Sequence, residues 1–151
     1  MRTVRHILEV KSKPFNTISA DTFVIDALRL INTLNISYLV VMDGEEYKGI
    51  FSERDYSRNV ILKGRASNTT TVREAMSVDL PIVSLDVTAE QCMNLINIHK
   101  TRYLLAYDDN EKFCGVITIH DLLREVLAES QEANSPLAIQ LNKHIENNDI
   151  Y

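Results

Sequence analysis

The chain repeats itself, and that repetition limits its fold more than any other feature. Residues 18–43 align with residues 83–108 at a constant offset of 65. The identities include Ser19/Ser84, Asp21/Asp86, Leu30/Leu95, Ile31/Ile96, Asn32/Asn97, Tyr38/Tyr103, Leu39/Leu104 and Asp43/Asp108. One residue is then inserted in a turn, and Gly49/Gly115, Asp55/Asp121, Arg58/Arg124 and Val60/Val126 match at an offset of 66. The lead-ins also match, as Thr3-Val4-Arg5 and Thr71-Val72-Arg73. Matches that keep their order over most of a chain mark two copies of one structural unit.

Each copy reads the same way. A short strand (Thr17-Ile18, then Ile82-Val83) enters an Asp-containing turn. The spacing of Val24, Ala27, Leu28, Ile31 and Leu34 draws one face of a helix. Ala89, Cys92, Met93 and Ile96 draw it again, and Thr88 with Gln91 fits a capping box. The apolar runs Tyr38 to Met42 and Tyr103 to Tyr107 are short and rich in β-branched and aromatic residues, as buried strands are. Polar turns at 43–46 and 108–111 lead to second strands that pass through Gly49 or Gly115. A second helix then starts near Ser52 or Thr118. Its expected apolar face includes Val60 and Ile61, or Leu122, Leu123, Val126 and Leu127.

The expected unit is therefore β-α-β-β-α, an α/β (α+β) fold. At about 50 residues it buries too little surface to be secure alone, so two units should share a core. The first repeat with its lead-in helix is expected over 1–64. The second, with linker and lead-in, is expected over 65–128, and Gly64 to Thr71 reads as the linker. In the tail, 129–151, Leu137, Leu141 and Ile145 are spaced four apart. They predict a last amphipathic helix, acidic overall, that docks on its own domain or on a second subunit.

Composition removes several function classes. Sixteen Lys and Arg stand against 21 Asp and Glu, a net charge of -5, which argues against holding nucleic acid by bulk charge. Clustered basic and aromatic residues for single strands are also lacking. The apolar runs are far shorter than the roughly 20 residues of a membrane span. No apolar block follows Arg2, Arg5 and His6, so no signal peptide is expected, and the expected compartment is the cytoplasm. Cys92 and Cys114 sit inside apolar patterns and read as buried free thiols. No nucleophile-base set or metal set can be assembled, and an enzyme is not expected.

Two short elements carry the chemistry. Gly49-Ile50-Phe51-Ser52-Glu53-Arg54-Asp55 and Gly115-Val116-Ile117-Thr118-Ile119-His120-Asp121 each pair a hydroxyl with a carboxylate one helical turn later. Read locally, Ser52 or Thr118 caps the helix and Asp55 or Asp121 returns the bond, with no ligand involved. Alternatively, the hydroxyl meets a phosphate and the carboxylate accepts the 2′ and 3′ hydroxyls of a ribose. Arg54 fits a bidentate phosphate contact or an ion pair with Glu53 or Asp55. His120 stands where the first copy has Arg54; it is an exposed helix histidine or a source of pH-dependent binding.

The two elements resemble the G-h-x-[ST]-x-x-D signature of CBS domains, the modules named after cystathionine β-synthase. The resemblance covers roughly residues 3–128. It implies that the repeats pack as a pseudo-twofold pair, that pairs dimerise, and that their clefts bind adenine nucleotides such as AMP, ADP, ATP or NAD(H). By that resemblance Ser52, Arg54 and Asp55 would serve one cleft, and Thr118, His120 and Asp121 the other. Arg102 would reach a phosphate, while Tyr103 stands where relatives often have histidine. The backbone at Thr17-Ile18 and Ile82-Val83 would frame the adenine, with Ile36 on its face. Relatives often have Thr at the position of Phe23, which offers neither a cap nor a ligand hydroxyl. Two functions follow: a regulatory module that senses an adenine nucleotide, likewise without catalysis, or a homodimeric scaffold with empty clefts that binds an unidentified protein.

Overall fold

The two apolar runs become the middle strands of two small sheets. The computed structural model describes residues 2–11, 15–129, 136, 139, 140 and 143. In chain order the elements are α1 (Val4–Val10), β1 (Thr17–Ser19), α2 (Val24–Leu34), β2 (Tyr38–Asp43), β3 (Glu46–Ser52) and α3 (Glu53–Tyr56). A π-helical turn, Ser57–Ile61, follows, then α4 (Val72–Ala75), β4 (Ile82–Ser84), α5 (Ala89–His99), β5 (Tyr103–Tyr107), β6 (Phe113–Thr118) and α6 (Ile119–Glu129). The sheet orders are β1-β2-β3 and β4-β5-β6. In each, the first pair is parallel and the second antiparallel. Tyr38, Leu39, Val40 and Val41 are fully buried, as a strand flanked on both sides requires.

The repetition reaches into local backbone detail. Each hairpin slips register once, between Val41 and Met42 and between Ala106 and Tyr107, beside the residue facing Gly49 or Gly115. Helices α2 and α5 both end on a left-handed residue, Asn35 at φ 53° and Lys100 at φ 51°. The expected helical faces hold in part. Val24, Ala27 and Ile31 are buried, as are Cys92 and Ile96, whereas Leu34 is exposed. The Thr88–Gln91 capping box is formed, at 3.0 and 3.2 Å.

The compact units cut the chain differently from the sequence repeats expected at 1–64 and 65–128. Among the described residues, one unit gathers 2–11 with 80 onward and the other runs from 15 to 79. Each repeat therefore takes the lead-in of the other. Val4 and Arg5 donate their backbone N–H groups to the carbonyls of Val87 and Leu85, and Val4 and Ile7 join the core of Leu104, Ile117 and Leu122. Val72 and Arg73 likewise donate to Thr22 and Ala20, and Val72 and Ala75 join the core of Ile31, Leu39 and Phe51.

The exchange also satisfies helix ends. Four N–H groups at a helix start lack partners within the helix. Phe23 offers no side-chain cap to α2, and the carbonyls of Thr70 and Ser67 accept from Val24 and Ile25 instead, at 2.8 and 2.9 Å. The stretch Gly64 to Thr71, expected as a linker, is therefore built into this unit, and Thr70 is buried. At α5 the Arg2 carbonyl accepts from Ala89 at 3.0 Å.

The helices after the motifs depart from expectation. The α-helical part of the first is one turn, and the π-turn that follows buries Val60 but leaves Ile61 exposed. In α6, Leu122 is buried, Val126 is exposed, and Glu125 is buried in place of an apolar residue. Glu125 faces the crossed-over lead-in. Arg2 Nε lies 3.3 Å from its Oε2, near enough for an ion pair but not aligned as a hydrogen bond. Burial raises the Glu125 pKa despite Arg2. Cys92 is buried and its thiol is pushed up to about 11 by desolvation, while Cys114 is half-buried. Leu137, Leu141 and Ile145, which predict the tail helix, lie outside the described residues.

After α4 the chain runs along the outer edge of β3. Ile50 and Ser77 exchange both backbone hydrogen bonds, at 2.9 and 2.8 Å. That approach needs Gly49, where a Cβ would lie 2.8 Å from Met76 Sδ and 2.9 Å from the Ser77 carbonyl oxygen. Gly49→Ala should therefore cost about 1–3 kcal/mol through overpacking. Denaturant unfolding checks this, and a loss within about 0.5 kcal/mol, the range of an ordinary surface change, contradicts it. Glu125 makes a second prediction. Its raised pKa means the folded state favours the proton, so this contribution is present below the ordinary glutamate value and is lost as pH rises through the folded value. Glu125→Gln should match the parent near pH 4 and melt higher at pH 7, as thermal unfolding across that range will show.

Candidate functional site

Each motif sits where a buried strand turns into a helix. Strand β3 ends at Ser52, which is extended at φ -132°, and α3 begins at Glu53. One carboxylate oxygen of Asp55 accepts the Ser52 backbone N–H and the Ser52 hydroxyl, both at 2.8 Å. Ser52 Oγ lies 3.3 Å from the Asp55 N–H and accepts from it. The other carboxylate oxygen takes a short hydrogen bond from the Ser77 hydroxyl. Asp55 is buried, while Arg54 beside it is exposed and makes no ion pair among the described residues. Neighbouring residues of a helix point in different directions, and here the acid turns inward and the guanidinium stays at the surface.

The second motif keeps the anchor and changes the partners. Strand β6 ends at Thr118, whose N–H donates to Asp121 Oδ2 at 2.9 Å, and the Asp121 N–H donates to Thr118 Oγ1 at 3.2 Å. Asp121 Oδ2 lies 2.8 Å from Lys11 Nζ, and both side chains are 2% exposed. Lys11 also donates to the Val116 carbonyl at 3.0 Å. Arg124 Nη1 lies 3.4 Å from the other carboxylate oxygen, Oδ1. A buried ion pair thus stands where the first motif has the Ser52 and Ser77 hydroxyls as side-chain donors.

The remaining candidates fall around these anchors. Tyr38 faces Ser52 across the β2–β3 ladder, and Tyr103 faces Thr118 across β5–β6. Arg102 is exposed, and its carbonyl accepts the Ile119 N–H at 3.2 Å, which ties the start of β5 to the start of α6. His120 is half-buried. On β1, Thr17 is exposed and Ile18 half-buried, whereas Ile36 is buried in the core of its unit. On β4, Ile82 is 62% exposed and Val83 is buried. An open groove of about 320 Å³ on α5, lined by Val87, Gln91, Asn94 and Leu95, shares no residue with either motif. Among the described residues no three His, Cys, Asp or Glu side chains are grouped to hold a metal ion.

Reading the sequence missed Lys11 and Ser77. Both follow a Thr-Val-Arg lead-in, Lys11 eight residues after Thr3 and Ser77 six after Thr71. Their different spacing hides them from a repeat alignment. Their side-chain chemistry differs as well, so no shared motif marks them.

The CBS domain family model matches residues 4–61 and 72–128. Inosine-5′-monophosphate dehydrogenase of Methanocaldococcus jannaschii is 30% identical over 125 residues, 82% of this chain and 24% of that protein. The chain spans 57% and 45% of the length of two further curated relatives. Among solved structures, a signal-transduction protein with CBS domains from Burkholderia ambifaria is similar at 35% identity and a TM-score of 0.76, over 85% of this chain and 96% of that one. CBSX2 in complex with AMP has the same fold, at 23% identity and a TM-score of 0.70, over 85% of this chain and 98% of that one. With matched sequence over both repeats, a shared fold and the hydroxyl–carboxylate anchor built twice, the chain belongs to the CBS domain family and carries two such domains in tandem.

Proposed function

We propose that this protein is a regulatory, non-catalytic module that binds an adenine nucleotide of the AMP, ATP or NAD type and signals through a homodimer or a partner protein. The observation that carries the reading is the buried carboxylate at each strand-to-helix turn, fixed by backbone and hydroxyl bonds before any ligand arrives. A carboxylate held this way loses little freedom when it accepts a ribose diol. Tandem CBS domains are generally regulatory nucleotide binders, and a protein of this fold is solved with AMP. The determinants are drawn from Ser52, Arg54 and Asp55 in one unit or Thr118, His120 and Asp121 in the other. Arg102 would add a phosphate contact in the second unit, and the backbone at Thr17-Ile18 or at Ile82-Val83 would frame a base within its own unit. No helix among the described residues is long and apolar enough to cross a membrane, and the proposed setting is the cytoplasm.

One observation favours a second reading. Both motif carboxylates already have partners within their own units, as an interaction module without ligand would need. Thermal unfolding of the full chain against AMP, ADP, ATP, NAD, NADH, S-adenosylmethionine and GMP separates the two. A nucleotide at ~100 times its Kd adds about 2.7 kcal/mol to stability. The expected result is a higher Tm with one or more adenine ligands and none with GMP. A flat panel sinks the nucleotide reading and favours the interaction module.

A further inference from the structure

We infer that the two motifs are unequal ribose acceptors and that Lys11 makes them so: the Asp55 motif takes a ribose diol, and Lys11 withholds Asp121 from one. This rests on the nucleotide-binding reading above. The anchors are alike, a Ser52 or Thr118 backbone N–H on one carboxylate oxygen and a reciprocal bond from the Asp N–H. The difference lies in what else each carboxylate holds.

At Asp55 the outside partner is the half-buried Ser77 hydroxyl. A ribose hydroxyl is the same kind of donor. One can replace the other with the number of bonds to the carboxylate unchanged. Only the Ser77 side chain need turn away, because its backbone is held separately to Ile50. The exposed Arg54 is the adjacent residue, with a guanidinium suited to a phosphate.

At Asp121 the outside partner is an ammonium. Lys11 and Asp121 are both almost wholly buried, and Arg124 supplies a second cation at the other oxygen. A neutral diol that displaced Lys11 would separate two buried opposite charges that lie 2.8 Å apart, a heavy penalty that no ribose hydroxyl offsets. The second acceptor at Val116 also fixes the Lys11 head group. Lys11 thus acts on specificity through Asp121, from a lead-in that lies outside the motif.

Isothermal titration of the full chain with AMP tests this. The expected stoichiometry is one AMP per chain. Asp55→Asn should weaken that binding about 100-fold or more, since it removes charge-assisted bonds to the diol. Lys11→Met should raise the stoichiometry to two, because it removes the ammonium from Asp121 Oδ2. Two sites in the parent overturn the inference, as does one site that survives Asp55→Asn, or a folded Lys11→Met variant that still binds one AMP. Circular dichroism checks the fold of each variant. If Lys11→Met fails to fold, Lys11→Gln, which keeps a neutral donor for Val116, is read the same way. Parent protein that binds no AMP at all overturns the nucleotide reading and this inference with it, an outcome distinct from two sites or a misplaced one.

Discussion

The fold depends on a hydrogen-bonding debt that neither repeat settles alone. The first helix of each repeat opens with a backbone N–H that needs an acceptor, and that acceptor is a lead-in carbonyl, Thr70 for Val24 and Arg2 for Ala89. The lead-in also brings apolar side chains, Val72 and Ala75 to one core and Val4 and Ile7 to the other. A β-α-β-β-α unit of this size is marginal by surface-to-volume scaling, and each unit completes its core with chain borrowed from the other half of the sequence. The units are thereby linked through the chain itself, because each lead-in is continuous with the repeat it does not pack in.

That exchange determines the chemistry of the two motifs. Each motif carboxylate is buried, and a buried carboxylate needs donors beyond its own capping box. The chain that supplies them follows a lead-in helix in both cases, so the divergence of the lead-ins is passed on to the motifs. After α4 the chain pairs with β3 and delivers Ser77; after α1 it delivers Lys11. A hydroxyl and an ammonium both satisfy an acceptor, but only the ammonium adds a charge that must itself stay paired. Two copies of one motif can therefore keep the same geometry and differ in what can displace the partner.

Much of this was legible in the sequence because periodicity and repetition are local signals. The strands Tyr38 to Met42 and Tyr103 to Tyr107, the Thr88–Gln91 box and the capping pairs Ser52–Asp55 and Thr118–Asp121 all rest on residues a few positions apart. What was not legible came from contacts distant in sequence. The burial of Glu125 and the exposure of Val126 reverse the hydrophobic expectation for α6 because Arg2 approaches there. Ile61 is exposed because a π-turn shifts the phase after Tyr56, and no spacing in the sequence announces it. Phe23 removes a cap at the start of α2, but the replacement at Thr70 is a backbone carbonyl, which carries no residue signature.

A sensor needs an element that changes its contacts when ligand binds, since a ligand shifts only those equilibria whose states it binds unequally. At Asp55 the contact that an entering hydroxyl competes with is the Ser77 side chain, while the Ile50–Ser77 backbone pairing and the close Gly49 approach hold the segment in place. On the proposed function, exchange there would be local and of small cost. At Asp121 the same exchange would pull Lys11 from its carboxylate and loosen the end of α1, whose core contacts lie in that unit. Only the second change reaches a lead-in, and only at a cost that a neutral ligand does not meet. On the proposed nucleotide-binding function, the first motif would bind without rearrangement. The second holds its lead-in through a buried ion pair, and on that function a response to ligand at Asp55 would travel through other groups.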